Sequence, residues 1–277
     1  YMAPDGSGAE YSADNIPLKP KHHLPISLGG VEANDFTMVF GYPGGTQRYL
    51  SSFGVEQALE KYNPTFVKIR TEVLEVLNKY MSEDTEIKIK YASKKARVSN
   101  YWKYFIGQSK GLRALNVYDK KVKQEQAFTD FVNSSPENIS EYGNVLSEME
   151  EAYKMLDEIV IPQVAIFEGG WRAADAVSFS RKAEKLLKAL ESEDADAIAS
   201  ASADLKEEAE EFFKEYDKAV DQDLFEAGMR MYYQLTPQEY LPEIIKDSFD
   251  KYKCSPKWAK KTYKKSMFVD QEKLYAF

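Results

Sequence analysis

The chain has 277 residues, of which 43% are hydrophobic and 13% aromatic, so it can bury a sizeable core and is not expected to be disordered. Its single cysteine, Cys254, excludes an internal disulfide and any metal site built from several cysteines. The net charge of −8 argues against a nucleic acid partner, and no run of about 18 apolar residues predicts a membrane-spanning helix.

Charge is distributed unevenly along the chain. Residues 137–250 carry 11 Lys and Arg against 28 Asp and Glu, whereas residues 51–136 carry 15 against 10 and residues 251–277 carry 8 against 2. Helices of opposite charge that pack side by side, or a solvated acidic face, explain this distribution most simply. A basic groove that binds acidic ligands is the alternative.

Short β-type segments precede the helical part of the chain. Residues 4–20 are rich in Pro, Gly, Asp and Ser and predict a loop, whereas residues 21–28 and 36–40 predict strands. The second strand ends in Gly-Tyr-Pro-Gly-Gly at residues 41–45. This stretch lacks the lysine and the spacing of a phosphate-binding loop, so it predicts a turn.

From residue 49 onward the apolar residues follow a helical period. Asn63 before Pro64 and Ser135 before Pro136 predict helix N-termini, because Asn and Ser cap free N–H groups and proline needs no partner in the first turn. Residues 82–85 offer caps for a further helix. The helix after Pro64 is expected to bury one face, made of Ile69, Val73, Val76, Leu77 and Tyr80.

Several helices are expected to bend or end at glycine, proline or small acidic residues. These interruptions are a kink or close helix crossing at Gly107 and Gly111, a break at Pro162, a hinge or turn at Gly169–Gly170, a linker over residues 191–204 and a capping box at residues 236–239. The sequence as a whole predicts a mainly α fold, an irregular multi-helix domain that follows a short β segment.

The titratable residues do not assemble into a reaction centre or a metal site. His22 and His23 are adjacent on a predicted strand, where their side chains would point to opposite faces. The acidic run at residues 207–211 lies on a predicted helix without a nearby histidine, which is typical of a solvated face. The sequence therefore predicts no metal, no cofactor and no catalytic residues within this chain.

Asn100 is unusual because it lies in a predicted helix interior beside aromatic residues, in the stretch Ser99-Asn-Tyr-Trp-Lys-Tyr-Phe-Ile-Gly107. Asparagine forms helices poorly because its amide competes for hydrogen bonds with the backbone. One explanation is a buried amide that closes a hydrogen bond between helices. The other is an amide that binds the polar end group of a ligand, since its carbonyl accepts and its NH2 group donates.

Several motifs follow one another in a characteristic order: Tyr1-Met-Ala-Pro-Asp-Gly6, Tyr11-Ser-Ala-Asp-Asn15, Phe40-Gly-Tyr-Pro-Gly44, Arg48-Tyr-Leu50, Tyr91-Ala-Ser-Lys94, Ser99-Asn-Tyr-Trp-Lys103 and Lys110-Gly-Leu-Arg113. Together they resemble the bacterial dipeptidyl-peptidase 7/11 family of serine peptidases. The resemblance is dense over residues 1–130 and looser beyond them.

The resemblance implies a chymotrypsin-like double β-barrel with a helical domain inserted between its halves. Residues 1–50 would then be terminal strands of the first barrel half and residues 51–277 the helical cap domain, both incomplete. The family's catalytic His and Asp would lie upstream of Tyr1 and its Ser beyond Phe277. We therefore expect the chain to be an internal piece of a longer protein and to be inactive by itself.

Such enzymes remove dipeptides from the N-terminus of oligopeptides, in the periplasm or at the cell surface, and hold the free α-amino group at a fixed site. Asn100 matches an asparagine of the helical domain that takes part in this hold, so the resemblance implies a substrate-binding role for it. An oligopeptide with a free N-terminus is the expected partner, and a homodimer of the full-length enzyme is left open.

The alternative function is a helical scaffold whose acidic face, within residues 137–250, binds a basic protein partner.

Overall fold

The computed structural model describes residues 1–38, 41, 45–252 and 256–277, and its chain divides into two units, Tyr1–Gln47 and Arg48–Phe277. In the first unit, an isolated antiparallel bridge pairs Met2 with Ile16, with N–H to oxygen distances of 2.9 Å in both directions. Asp5 closes the turn after Met2 by accepting a hydrogen bond from the backbone N–H of Ser7 at 2.9 Å.

The strand predicted over residues 21–28 is not formed. This segment has no regular structure, and its large apolar side chains are exposed. A strand needs a partner for its N–H and C=O groups, and the described residues of this unit provide none. Residues 36–38 are irregular as well, whereas residues 39–40 and 42–44 of the predicted strand and turn, and also Cys254, lie outside the described residues.

The second unit confirms the predicted mainly helical fold. Fourteen α-helices occur among its described residues: α1 Ser52–Gln57, α2 Asn63–Glu83, α3 Thr85–Lys90, α4 Ala92–Ala114, α5 Val117–Val132, α6 Pro136–Tyr142, α7 Val145–Ala165, α8 Asp175–Ser180, α9 Glu184–Ser192, α10 Ala195–Glu215, α11 Lys218–Leu235, α12 Glu243–Tyr252, α13 Pro256–Lys265 and α14 Gln271–Tyr275. A first π segment, Ala58–Tyr62, joins α1 to α2, and a second π segment, Ile166–Arg172, follows α7.

The first long helix is entered at Ser51 rather than at Asn63. Ser51 caps α1 with its side chain, and the helix continues through the first π segment into α2. The prediction of Asn63 as an N-cap is therefore wrong. Asn63 is buried and donates hydrogen bonds to the side chains of Gln108 and Ser109 on α4. The π segment precedes Pro64, which has no N–H to continue an α-helical ladder.

Two other predicted helix starts are confirmed. The Asp84 carboxylate accepts hydrogen bonds from two N–H groups of α3. The Ser135 hydroxyl caps α6, and Pro136 occupies the first helical position. The expected apolar face of α2 is also confirmed, since Ile69 and Leu77 are fully buried.

The linker predicted over residues 191–204 is largely helical. Helix α10 begins at Ala195, and Asp194 caps it by accepting hydrogen bonds from two N–H groups of the first turn. Alanine has the highest helix propensity of all residues, and Ala201 packs into the core. The small side chains therefore indicate a closely packed helix rather than a connection.

The helical structure also continues through Pro162 and through the glycines at 169 and 170. Pro162 lies inside α7, where buried neighbours such as Val164 outweigh the hydrogen bond that proline cannot donate. Gly169 and Gly170 are buried in the second π segment, which crosses α11. A Cβ atom on Gly169 would stand 2.5 Å from the carbonyl oxygen of Gly228, so the two backbones touch directly.

Gly107 and Gly111 show the opposite situation. A Cβ atom added to either of them would meet no heavy atom of the described structure within 4 Å, so the close crossing expected there is wrong. Both glycines continue α4 without a break.

The capping box predicted at residues 236–239 is not formed. Pro237 has an extended ψ of 147°, so the following residues cannot belong to a helix that starts at Thr236. A 3-10 turn, Gln238–Tyr240, forms instead, and Thr236 is buried.

Helix α11 occupies the centre of the second unit. It packs against α2, α7, α13 and the second π segment, and its buried side chains include Val220, Leu224, Phe225, Met229 and Tyr232. In the described ranges, no helix combines the length and the apolar character needed to cross a membrane.

Both expected explanations of the uneven charge distribution are represented, since some ion pairs join helices of opposite charge and many acidic residues are exposed. Four ion pairs join the basic block, residues 51–136, to the acidic block, residues 137–250: Lys61–Asp157 at 2.9 Å, Arg70–Glu168 at 2.7 Å, Lys79–Asp223 at 3.3 Å and Lys94–Asp175 at 2.7 Å.

We expect Gly228→Ala to destabilise the protein by about 1–3 kcal/mol, because the new methyl group would push the second π segment away from α11. Gly107→Ala is the matched control and should stabilise it by about 0.5–1 kcal/mol, since an exposed helical glycine gains helix propensity without a clash. Urea unfolding of both variants measures the two effects. A Gly228→Ala variant as stable as wild type would contradict the close crossing.

Candidate functional site

Asn100 lies on the exposed side of α4. This position rules out the buried amide that closes a hydrogen bond between helices. The side chain is instead free to meet a ligand or another part of a larger protein. Its binding role stays a prediction.

Aromatic rings surround Asn100 along α4. Tyr101 and Tyr104 are about half exposed, and their rings meet edge to face at 6.5 Å. Tyr104 follows Asn100 by four residues, so both side chains lie on the same side of the helix. The Tyr104 hydroxyl accepts a hydrogen bond from Gln108 at 2.9 Å, which holds the ring in place. An amide beside fixed aromatic rings suits a polar group attached to an apolar body.

A buried ion pair lies beneath this segment of α4. Arg70 of α2 and Glu168 of the second π segment are both over nine-tenths buried, and their charged atoms are 2.7 Å apart. Arg70 also donates a hydrogen bond to the backbone carbonyl of Val98 at 3.2 Å, and its guanidinium lies 5.2 Å from the ring centre of Tyr101.

Two clefts open beside α4. The smaller one, of about 450 Å³, is lined by Arg70, Arg97 and Tyr101 together with Glu168. The larger one, of about 700 Å³, lies between α4 and α10 and has an apolar floor that includes Phe212. Helix α8 and residues Lys94 and Arg97 of α4 contribute to both clefts. Both therefore combine charged walls with aromatic surface, as ligand pockets commonly do.

The position of α8 is set by a buried carboxylate. Asp221 accepts hydrogen bonds from the backbone N–H groups of Asp175 and Ala176 at the start of α8, and from the hydroxyls of Tyr216 at 3.3 Å and Tyr263 at 2.7 Å. Burial, and then the negative charge of Asp175, raise the pKa of Asp221. Burial likewise raises the pKa of both tyrosines, which stay neutral donors.

Lys94 connects α4 to the same point. Its ammonium group donates to the carbonyl of Ala173 and to the Asp175 carboxylate, both at 2.7 Å. The exposed helix α4 and the buried helix α11 are thus joined through the start of α8.

Sequence reasoning missed the buried charges, although a signal was present. Arg70 falls within the apolar stripe of α2, next to Ile69 and before Val73. Asp221 follows Val220 in the apolar stripe of α11. A charged residue within an apolar stripe is either paired with another polar group in the core or marks a position where the helix face is exposed. The sequence alone does not identify the pairing partner.

The other titratable candidates stay apart from this region. His22 and His23 are exposed in the first unit, and their rings stack at 6.3 Å instead of pointing to opposite faces of a strand. The acidic run on α10 is exposed, and its Glu208 pairs with Lys182, as expected for a solvated face. Among the described residues, no three His, Cys, Asp or Glu side chains gather as they would around a metal ion.

The second unit thus offers exposed polar and aromatic groups beside two clefts. The chain belongs to the family described as Peptidase S46, whose sequence model matches residues 1–277. The family resemblance found in the sequence is confirmed.

Characterised relatives of this chain are dipeptidyl-peptidases. An Asp/Glu-specific dipeptidyl-peptidase from Capnocytophaga gingivalis is 39% identical over 247 residues, which cover 89% of this chain and 35% of the relative. A dipeptidyl-peptidase 7 from Porphyromonas gingivalis is 33% identical over 278 aligned positions, which cover 100% of this chain and 38% of the relative. The chain therefore spans well under half of the length of these relatives.

The fold also matches a solved structure. The crystal structure of Porphyromonas endodontalis DPP11 in complex with the dipeptide Arg-Glu superposes with a TM-score of 0.72 at 24% identity, covering 100% of this chain and 40% of that one. At this level of identity the likeness shows the fold.

We expect Asp221→Asn to lower the free energy of unfolding by about 1–3 kcal/mol near pH 4, because an amide cannot accept all the hydrogen bonds directed at this position. The pKa of Asp221 is raised by folding, so the folded state binds the proton more tightly than the unfolded chain. The stabilisation from this carboxyl is therefore complete below about pH 4 and declines as the pH rises. The loss caused by the substitution should shrink towards pH 7.

Urea unfolding at a series of pH values measures this trend. Asp223→Asn, on the same helix but partly exposed, is the control and should cost less than about 1 kcal/mol. A cost of Asp221→Asn that grows with rising pH would contradict the raised pKa.

Proposed function

We propose that the full-length protein is a serine-type dipeptidyl-peptidase that removes dipeptides from the N-terminus of oligopeptides. The match of the Peptidase S46 family over residues 1–277 carries this proposal, and relatives that are themselves named dipeptidyl-peptidases support it. In this arrangement residues 51–277 form a helical cap, and residues 1–50 are terminal strands of the first β-barrel half, which pair with strands outside this chain.

The chemistry proposed for the whole enzyme is acyl transfer. A serine attacks the peptide carbonyl, a histidine takes up the serine proton, and an aspartate orients the histidine. Parts of the protein outside this chain supply these three groups. The helical unit contributes the groups that decide which peptide bond reaches the serine.

Asn100 is the group that we assign to the substrate. Its side-chain carbonyl accepts a hydrogen bond from the free α-ammonium of the peptide, and its exposure on α4 leaves it accessible to an incoming chain end. A peptide whose amino end is held at one fixed point presents the same peptide bond to the serine each time. This hold makes the enzyme an exopeptidase.

The proposed substrate sets the proposed location. Oligopeptides with free amino ends are consumed by such peptidases in the periplasm or at the cell surface, and we place the full-length protein there. The scaffold function, in which the acidic block binds a basic partner, finds no support in the comparisons, and four carboxylates of that block are paired with basic side chains of α2, α4 and the first π segment.

We expect Asn100→Ala in the full-length enzyme to lower kcat/KM for peptides with a free amino terminus by roughly fivefold to 150-fold. This is the kinetic equivalent of losing about 1–3 kcal/mol of hydrogen bonding to a desolvated ammonium. Steady-state kinetics on chromogenic dipeptide substrates measures it.

Asn78→Ala is the matched control, since Asn78 is an exposed asparagine on the neighbouring helix α2. It should leave kcat/KM within about twofold of wild type. Equal kinetics of Asn100→Ala and wild type would refute the proposed hold.

We further expect the 277-residue chain alone to show no peptidase activity, because the nucleophile, base and orienting acid lie outside it. Turnover of a dipeptidyl-β-naphthylamide by the purified chain is the measurement, with the full-length enzyme as the positive control. Turnover that persists through repeated purification would disprove the assignment of the reaction centre to other parts of the protein.

A further inference from the structure

Helix α4 carries Asn100 and packs along α2, with most of its side chains partly or fully exposed. Phe105 is its one buried side chain, and this ring packs on Phe66 of α2 with 4.5 Å between the ring centres. Phe105 lies more than a helical turn away from Asn100. Val98 is partly buried against a second core cluster that includes Val73 and Leu77 of α2. Apolar contacts of this kind are weakly directional, so polar contacts are needed to fix the rotation of the Asn100 segment.

Polar contacts from α2 hold the residues on both sides of Asn100. Before it, Arg70 donates a hydrogen bond to the Val98 carbonyl at 3.2 Å. After it, the indole N–H of Trp102 donates to the Thr71 hydroxyl at 2.9 Å. The two contacts bracket Asn100 within five consecutive residues of α4.

Arg70 is itself fixed from the opposite side. Its guanidinium pairs with Glu168 at 2.7 Å, and both side chains are over nine-tenths buried. Burying such a pair is costly and stabilises a protein little compared with apolar packing. The planar guanidinium contacts Glu168 through one nitrogen and the Val98 carbonyl through another, so it relates the two partners in a defined geometry that lysine or an apolar residue would not give.

We propose that Arg70, backed by Glu168, and Thr71 are positioning residues that hold Asn100 in place for the substrate's amino group. This inference rests on the proposed function of Asn100. Neither Arg70 nor Thr71 needs to touch the substrate. They act through the backbone of α4, where a displacement of about 1 Å is enough to weaken catalysis by roughly a hundredfold.

The test uses the full-length enzyme and two substrates, a chromogenic dipeptide with a free α-amino group and its analogue in which hydrogen replaces that group. The measured quantity is the ratio of their kcat/KM values. A loss of overall stability or of barrel chemistry affects both substrates alike, whereas a misplaced Asn100 lowers the ratio.

We expect Arg70→Lys to lower this ratio by about tenfold, because lysine keeps the charge opposite Glu168 but loses the fixed contact with Val98. Thr71→Val, a nearly isosteric change, should lower it by about threefold. In the Asn100→Ala background, Arg70→Lys should cause no further decrease, since residues that act through one contact are not additive.

Arg230→Lys is the matched control. Arg230 of α11 is joined to α2 by its pair with Glu72 at 2.9 Å and also pairs with Glu226 of its own helix at 3.2 Å, so neither ion pair involves α4. Its substitution should leave the ratio unchanged.

The outcomes separate the two proposals. If Asn100→Ala lowers the ratio but Arg70→Lys and Thr71→Val do not, the positioning role is wrong and the proposed function stands. If Asn100→Ala leaves the ratio unchanged, the proposed hold is wrong and the positioning role falls with it. Thermal unfolding identifies a variant that fails to fold, and if Arg70→Lys is such a variant, Thr71→Val decides.

Discussion

The buried carboxylate of Asp221 is the contact on which the arrangement of the helical unit depends. It accepts hydrogen bonds from two backbone N–H groups of α8 and from the hydroxyls of Tyr216 and Tyr263. Helices α8 and α13 are thereby tied to one point on the central helix α11. Without this acceptor, the N–H groups at the start of α8 would lose their partner, at the cost of an unsatisfied buried donor. Both clefts beside α4 follow from this contact, because α8 lines each of them.

Glycines and buried polar groups have different structural roles in this core. Where backbones must touch, at the crossing of the second π segment and α11, Gly169 and Gly228 remove the side chains. Where helices must keep a fixed rotation, a buried polar group sets it, as Asp221 does for α8 and Arg70 for α4. Apolar side chains could match the stability but would not specify the direction, because dispersion contacts are weakly directional. These buried polar groups therefore fix direction more than they add stability.

The sequence predicted the helical fold class and several local features, because these depend on neighbours in the chain. The apolar face of α2 and the caps at Asp84 and Ser135 need only residues within a few positions of one another. The errors have tertiary causes. Pro162 was expected to end a helix that core packing continues, and the glycines at 169–170 were expected to form a turn when their role is a close crossing. The candidate Asn100 came from a local oddity and from resemblance, whereas the contacts beneath it join residues 28 and 31 positions apart.

The proposed reaction explains why the helix segment that carries an exposed asparagine would need to be held in a fixed position. Each residue of an extended peptide adds about 3.3–3.6 Å to its length, so the distance from the amino-group tether to the serine decides which bond is cut. If the tether moved by half of the length of one residue, the enzyme would no longer distinguish the second peptide bond from the first or the third. Helix α4 is mostly exposed, and polar contacts from α2 hold it at the positions next to Asn100. The face of α4 that carries Asn100 can then stay exposed to substrate, because the face towards α2 is held by polar contacts of defined length.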